Sequence, residues 1–375
     1  MSTGTRSGTR VVSILGVWAA VSWSWAAAAT VDKTAKGAKA EKGEKSPAAA
    51  EKTIDLKGPK GEVKGWGEFR KGDILIVDGQ RVRLAPTAKV KVKGGADAAS
   101  LPLGYEVKAK GVMQSDGSLY ATQVEGKPNV VEKSEQQLLA QCQEIEELYS
   151  RAGRALRVTR DGSVQSLGAI SEKGADHRRA RKILDRLLPP YVQPGDVRLY
   201  VVDNKEWNAF AMANFAIYIH NGLLNDLDDD EVAIVLGHEM AHATLEHTRR
   251  TIRKGRWARI GAGVAAVGGA VVGGIGGDAL SSLGGLGASA LANGFSRGFE
   301  DEADRVGTRY AYEGGFRADK APALWNKFGE KYKDGSGVGN FLFGSHSSSK
   351  ERAKNLEIEV ARNYGRGVDD KPSRK

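Results

Sequence analysis

The chain has 375 residues, of which 41% are hydrophobic and 27% are charged, as in a globular protein. Its 48 glycines show no Gly-X-Y period, which excludes a collagen-like chain. The length allows two or three domains at the usual ~100–200 residues each, and the formal net charge of +10 suggests an anionic neighbour. Because Cys142 is the single cysteine, a disulfide framework and a cysteine-based zinc cluster are excluded. Any metal ion must therefore be bound by histidine, aspartate or glutamate.

The first 29 residues have the pattern of a secretory signal peptide. Arg6 and Arg10 precede an apolar run at residues 11–25, which is followed by four alanines at 26–29. This order of a basic start, an apolar segment and small residues predicts export, with the periplasm as destination and cleavage after Ala29. The alternative is a retained membrane anchor, because residues 11–29 have nearly the ~20 residues that a span needs.

The next two segments differ sharply in composition. Residues 30–60 are mainly Lys, Ala, Glu and Gly, and we expect a disordered linker because they have too few large apolar side chains to form a core. Residues 61–127 contain strand-like runs separated by Asp-Gly turn signals. The expected strands are 65–69, 73–77, 80–84, 89–92, 105–114 and 119–124.

This strand pattern predicts a small closed β barrel, similar to an OB fold, at residues 61–127. Barrels of this kind often bind nucleic acid, but few aromatic residues are present to stack on bases and the chain has an export signal. We therefore expect no nucleic-acid partner, and interpret the barrel as an accessory or substrate-contacting domain.

From about residue 130 the pattern becomes that of an α+β domain, which we place at residues 130–365, with a disordered tail at 366–375. Helices are predicted at 132–152, with Cys142 on the buried face, and at 175–188. Strands are predicted at 197–203 and 215–220.

A helix that continues towards Arg250 carries the motif His-Glu-x-x-His, in which His238 and His242 lie four residues apart. Residues at this spacing share one helix face, so both imidazoles can bind one metal ion. Glu239, next to the first histidine, can then take a proton from the activated water and pass it to the leaving amine. With so few histidines in the chain, a chance match is rare.

A catalytic zinc ion usually has three protein ligands, so a third ligand is needed. Glu300 and Asp304 are four residues apart in a segment with a helical pattern. One of them can bind the metal ion while the other orients a ligand histidine. An acidic helical turn is more often simply exposed to solvent. Because the two histidines need a third ligand, we favour a role for this turn in the metal site.

These motifs resemble the M48 family of zinc metallopeptidases, over roughly residues 132–365. The resemblance implies a zincin-like domain with one Zn²⁺ per chain. The zinc ligands would be His238, His242 and Glu300, the general base Glu239, and Asp304 would orient a ligand.

The family also suggests a role for His346. Its members often carry a late histidine that is followed by proline, with an arginine six residues after the histidine. His346 and Arg352 match this pattern, whereas Ser347 replaces the proline. His346 would stabilise the oxyanion or occupy the open zinc position as a latch; the alternative is an ordinary surface histidine.

Three other histidines have different expected roles. His220 lies on the strand predicted at 215–220, which we expect to be the edge strand that binds an extended substrate. His247 follows His238 by nine residues, about 180° around a continuous helix, so it is predicted not to be a ligand. His177, among arginines, is expected to be exposed.

Residues 261–294 are rich in glycine and alanine. In integral-membrane relatives this region spans the bilayer, but here the apolar run at 260–275 is shorter than the ~20 residues required. We expect a hairpin that covers the active site or contacts the membrane surface, with a membrane span as the alternative.

The sequence therefore predicts an exported zinc endopeptidase, either free in the periplasm or associated with a membrane, with an OB-like barrel before an α+β zincin-like domain. The family implies unfolded or misassembled cell-envelope proteins as substrates. Two alternatives remain open. One is a zinc-binding chaperone or assembly factor whose site is latched by His346, and the other is a binding protein in which the barrel carries the ligand affinity.

Overall fold

The computed structural model describes residues 54–93, 106–127, 131–158, 164–189, 192–260, 295–332 and 349–364. The predictions for the signal peptide, most of the linker, residues 261–294, His346 and the tail lie outside these residues. In the described part of the chain, no helix is both long enough and apolar enough to cross a membrane.

The N-terminal part is a closed barrel of five strands in the order β1-β2-β3-β5-β4, which confirms the predicted barrel. The strands are β1 Lys60–Lys71, β2 Ile74–Val77, β3 Gln80–Val92, β4 Glu106–Met113 and β5 Leu119–Lys127. The separate strands predicted at 80–84 and 89–92 are wrong. They form one strand, β3, because its pairing with β5 continues across a register shift between Leu84 and Lys89.

The second part contains a five-stranded sheet in the order β6-β7-β8-β10-β9. Its strands are β6 Arg154–Val158, β7 Val164–Ser171, β8 Arg198–Val202, β9 Ala209–Ala211 and β10 Ala216–His220. β8 and β10 are parallel, and the other neighbouring pairs are antiparallel.

The position of β10 corrects the predicted edge strand. After β9 the chain turns through Phe215, whose φ is 65°, and β10 then pairs with both β8 and β9. The prediction that residues 215–220 form the edge of the sheet is therefore wrong. The edge on this side is the short strand β9, which the sequence pattern did not mark as a strand.

Helices cover both faces of this sheet. In the described residues they are α1 Lys133–Ala152, α2 Ala175–Leu187, α3 Asn221–Asp226, α4 Asp229–Thr244, α5 His247–Ile260, α6 Arg297–Glu313, α7 Ala321–Lys331 and α8 Ser349–Asn363. Side chains alternate along β8 as expected for a strand: Tyr200 packs with α1, whereas Leu199 and Val201 pack with α2 and α4. Cys142 of α1 is buried in this core, as predicted.

The helix α4 has the predicted start but a different end. Asp228 accepts a hydrogen bond from the Glu231 amide at 3.0 Å, and the Glu231 carboxylate accepts one from the Asp228 amide at 3.2 Å. The helix ends at Thr244, because Glu246 has a φ of 57° in the left-handed region, and α5 begins at the next residue. The prediction of one continuous helix as far as Arg250 is therefore wrong.

Two glycines allow α4 and α6 to pack closely. A Cβ atom at Gly237 would lie 2.5 Å from the Gly307 carbonyl oxygen, and one at Gly307 would lie 2.5 Å from the His238 amide nitrogen. Any larger residue would separate the helices. This contact places Glu300, two turns before Gly307, beside the histidines of α4.

Four side chains of β1 contact the second part. The contacts are Glu68 Oε1 with Arg305 Nη2 at 2.6 Å, the Trp66 ring with the Arg250 guanidinium at 4.4 Å, the Phe69 ring with the Arg309 guanidinium at 4.5 Å, and Lys71 Nζ with Glu313 Oε2 at 3.3 Å. Glu68 is buried, and this burial raises its pKa to about 7 despite the opposing charge of Arg305.

Candidate metal centre

Three buried side chains, from His238, His242 and Glu300, place potential ligand atoms within 4.8 Å of one another. The Nε2 atoms of the two histidines are 3.0 Å apart, and each lies 3.5 Å from an oxygen atom of Glu300. Metal–ligand bonds of about 2.0–2.1 Å in a tetrahedron place the ligand atoms about 3.3 Å apart. The donor set therefore fits an ion of the size of Zn²⁺.

The second ring nitrogen of His238 is oriented by Asp304. Asp304 Oδ1 lies 3.0 Å from His238 Nδ1, and Arg352 donates two hydrogen bonds to the same carboxylate at 2.7 and 2.8 Å. Burial alone would raise the pKa of Asp304, but the charge and hydrogen bonds of Arg352 and the contact with His238 lower it overall. An ionised Asp304 can accept the Nδ1 hydrogen of His238, and Nε2 of the same ring lies 3.0 Å from His242 Nε2, beside the position that a metal ion would occupy.

The second ring nitrogen of His242 is oriented by a longer network. His247 Nδ1 lies 2.8 Å from His242 Nδ1, and His247 Nε2 lies 3.2 Å from Glu302 Oε2. Arg250 Nη1 donates to both oxygens of Glu302, at 3.1 and 2.9 Å. Burial lowers the pKa of His247, which favours the neutral ring. Burial would raise the pKa of Glu302, but His247 and Arg250 lower it to about 2.

The sequence pattern does not predict this network. The predicted position of His247 on the opposite side of a continuous helix is wrong, because Glu246 interrupts the helix and the His247 ring turns towards His242. His247 is still not part of the described three-residue cluster. Glutamate is a good helix former, so no signal in the sequence marks Glu246 as the interruption.

The carboxyl group of Glu239 is buried beside the cluster. One oxygen atom, Oε1, has no hydrogen-bond partner within the described residues, and the group accepts a hydrogen bond from the backbone of Ala211 in the edge strand β9. Burial raises the pKa of Glu239 to about 7. The site therefore combines a proton-accepting group, a candidate metal position and the edge of a sheet.

Two further histidines of the described residues, His177 and His220, do not join the cluster. His220 is buried, its Nδ1 lies 3.2 Å from the Glu206 carbonyl oxygen, and burial lowers its pKa to about 4. His177 is half-buried rather than exposed, because α2 packs on the sheet and His177 Nε2 contacts the Leu199 carbonyl oxygen at 3.1 Å. His346 lies outside the described residues.

A buried His-His-Glu cluster with a glutamate beside its first histidine is the arrangement of a metallopeptidase centre. Comparisons with known proteins agree with this class. Residues 175–360 match peptidase family M48. The chain is 30% identical to the metalloprotease LoiP of Escherichia coli over 231 residues, which cover 60% of this chain and 88% of LoiP.

Two further relatives are matched over smaller shares of their length. The mitochondrial metalloendopeptidase OMA1 of Arabidopsis thaliana is 32% identical over 157 residues, which cover 42% of this chain and 30% of that protein. The beta-barrel assembly-enhancing protease of Yersinia pestis is 29% identical over 136 residues, which cover 35% and 28%. The chain belongs to peptidase family M48 and is a metallopeptidase, as its motifs predict.

Proposed function

We propose that the protein is a zinc-dependent endopeptidase that hydrolyses internal peptide bonds of unfolded or misassembled cell-envelope proteins. The observation that carries this proposal is the convergence of His238, His242 and Glu300 beside the buried carboxyl group of Glu239. A carboxyl group next to an imidazole-rich metal position is what hydrolysis by activated water requires.

The residues of the site would have distinct roles. His238, His242 and Glu300 would hold a zinc ion, which, when bound, polarises the scissile carbonyl group and lowers the pKa of a water molecule. Glu239 would take a proton from the attacking water and pass it to the leaving amine. Asp304 would fix the ring of His238 through its hydrogen bond.

The edge strand β9 supports an extended peptide as substrate. It pairs with β10 on one side and with no other strand of the described residues. A peptide that adds to such an edge is bound mainly through its backbone, which gives broad specificity and requires an unfolded segment. Because Ala211 of β9 contacts Glu239, a peptide bound there would lie close to the catalytic carboxyl group.

The cell envelope as location rests on the sequence and on the relatives. The first 29 residues have the pattern of an export signal. One relative is a protease named for enhancing the assembly of β-barrel proteins. Contact of residues 261–294 with a membrane surface remains a proposal that vesicle flotation can test.

The test uses the full chain and its Glu239→Gln variant, with an unfolded protein as substrate. We expect both proteins to bind zinc and only the wild type to produce internal fragments, identified by mass spectrometry. A wild type that binds zinc but does not cleave the substrate would contradict a peptidase whose site is permanently open. In that case the His346→Ala variant separates a latched chaperone or assembly factor from a protein that acts only by binding. Cleavage by the variant but not by the wild type would support the latch.

A further inference from the structure

We propose that the barrel is a structural part of the metal centre, because Trp66 stabilises the Arg250–Glu302–His247 network that orients the ring of His242. This inference rests on the proposed role of His242 as a metal ligand. In it, His247 is a positioning residue that acts through His242. The barrel then has a function that does not depend on binding a ligand of its own.

The network begins with an ion pair between two buried side chains. Arg250 Nη1 lies 3.1 and 2.9 Å from the two oxygen atoms of Glu302. An arginine is always charged, and a carboxylate paired with it only accepts hydrogen bonds. The contact of 3.2 Å between His247 Nε2 and Glu302 Oε2 therefore requires the hydrogen to be on Nε2 of His247.

The position of this hydrogen determines the next contact. A neutral imidazole has one N–H, so Nδ1 of His247 has a lone pair and must accept. The group 2.8 Å away is Nδ1 of His242, which therefore donates its hydrogen to His247. The Nε2 lone pair of His242 is then directed towards His238 Nε2 and Glu300, where a metal ion would lie.

The barrel enters this network at Arg250. The guanidinium group contacts two aromatic rings, that of Trp66 from β1 at 4.4 Å and that of Phe299 from α6 at 4.5 Å. Cation–π contacts of this kind hold the planar group in one orientation. Removal of Trp66 would expose part of the Arg250 guanidinium group to water and weaken its ion pair with Glu302.

A neighbouring residue of the same interface provides a matched control. Phe69 lies on β1, three residues after Trp66, and its ring faces Arg309 at 4.5 Å. Arg309 makes an ion pair with Glu313. Phe69→Ala therefore weakens docking of the barrel without touching the network directly.

The decisive measurement is the dissociation constant for zinc by chelator competition, made on the full chain and its variants. Partners that orient a metal ligand typically contribute about 10–100-fold to affinity. We expect Trp66→Ala to weaken zinc binding about 10-fold, at the lower end of that range because it acts through three residues. Phe69→Ala should leave zinc affinity close to that of the wild type. Equal effects of the two variants, or no effect of Trp66→Ala, would overturn the proposal.

Two variants of His247 test the hydrogen bonds without changing the barrel. His247→Phe keeps an aromatic ring that can stack on Phe299, as His247 does at 4.5 Å, but it removes both hydrogen bonds. His247→Gln can still accept from His242 and donate to Glu302. We expect zinc affinity to fall in the Phe variant and to be largely restored in the Gln variant. Equal affinities in the two folded variants would show that His247 only fills space.

The same proteins separate this inference from the proposed function. Cleavage of a short peptide is measured beside zinc affinity, and circular dichroism checks the fold of each variant. A wild type that binds zinc but cleaves nothing would contradict the proposed endopeptidase activity. The zinc affinities of the variants would still test the role of the barrel. If Trp66→Ala cleaves the peptide and binds zinc as the wild type does, only the proposed role of the barrel is contradicted.

Discussion

The two histidines of the candidate metal centre are oriented in different ways. His238 contacts a carboxylate directly, with Asp304 Oδ1 at 3.0 Å from its Nδ1. His242 contacts a carboxylate through an intervening imidazole, that of His247, which lies 2.8 Å from one and 3.2 Å from the other. In both arrangements Nε2 points towards the position that a metal ion would occupy.

The difference also concerns which part of the chain supports each histidine. Asp304 is paired with Arg352, and both residues lie in helices of the peptidase part. The network of His242 ends at Arg250, one face of which is covered by Trp66 of the barrel. One ligand thus depends on local packing, whereas the other depends in addition on how the barrel docks.

The largest effect is expected from Asp304→Asn, which breaks the direct support. The amide has the same shape but cannot neutralise the buried charge of Arg352, and loss of a partner from a buried ion pair typically costs ~3–5 kcal/mol. We expect zinc affinity to fall about 100-fold, together with a lower free energy of unfolding in urea. Asp301→Asn, in the same turn of α6, is the control and should bind zinc normally. Normal zinc binding by Asp304→Asn would show that His238 needs no such support.

A smaller effect is expected from Glu302→Gln, which weakens the indirect support. The amide can still accept from His247, but its pairing with Arg250 loses the charge. Because His247 remains in place to contact His242, we expect zinc affinity to fall about 10-fold, as measured by chelator competition. A loss as large as that of Asp304→Asn would show that the two histidines do not differ in their dependence on these partners.

The docking of the barrel should also depend on pH through Glu68. Burial raises the pKa of this carboxyl group from 4.5 to about 7, so its contribution to stability is present below about pH 4.5 and is lost as the pH rises through about 7. The groups that face it are Arg305, Glu302 and the amide of Gly79. Relative to Glu68→Gln, the Tm of the wild type should fall on the order of 5 °C between pH 5 and pH 8. A difference between the two proteins that does not change with pH would contradict this assignment.

The sequence could identify the parts of the centre that rest on short-range spacing. His238 and His242 share a helix face at four residues, and Glu300 and Asp304 do the same, so local periodicity was sufficient to group them. The barrel was also predictable, because Asp-Gly turns separate its strands.

The remaining parts depend on backbone geometry and on packing between segments. One residue in the left-handed region, Glu246, decides that His247 faces His242, and periodicity has no means of detecting it. The edge strand β9 has only three residues, too few for an alternating pattern. The contact of Trp66 with Arg250 joins segments far apart in the chain, and propensity does not report such contacts.

The smallest effect is expected from Lys71→Met, at the rim of the same interface. Lys71 Nζ lies 3.3 Å from Glu313 Oε2, and the lysine side chain is 35% exposed, so the pair is screened by water and should contribute less than about 1 kcal/mol. Zinc affinity and the Tm should both stay close to those of the wild type. If Lys71→Met instead weakened zinc binding as much as Trp66→Ala, the orientation of His242 would depend on docking of the barrel as a whole. The specific contact between Trp66 and Arg250 would then not be decisive. The comparison of these two variants therefore decides whether the barrel acts through one ring or through its entire interface.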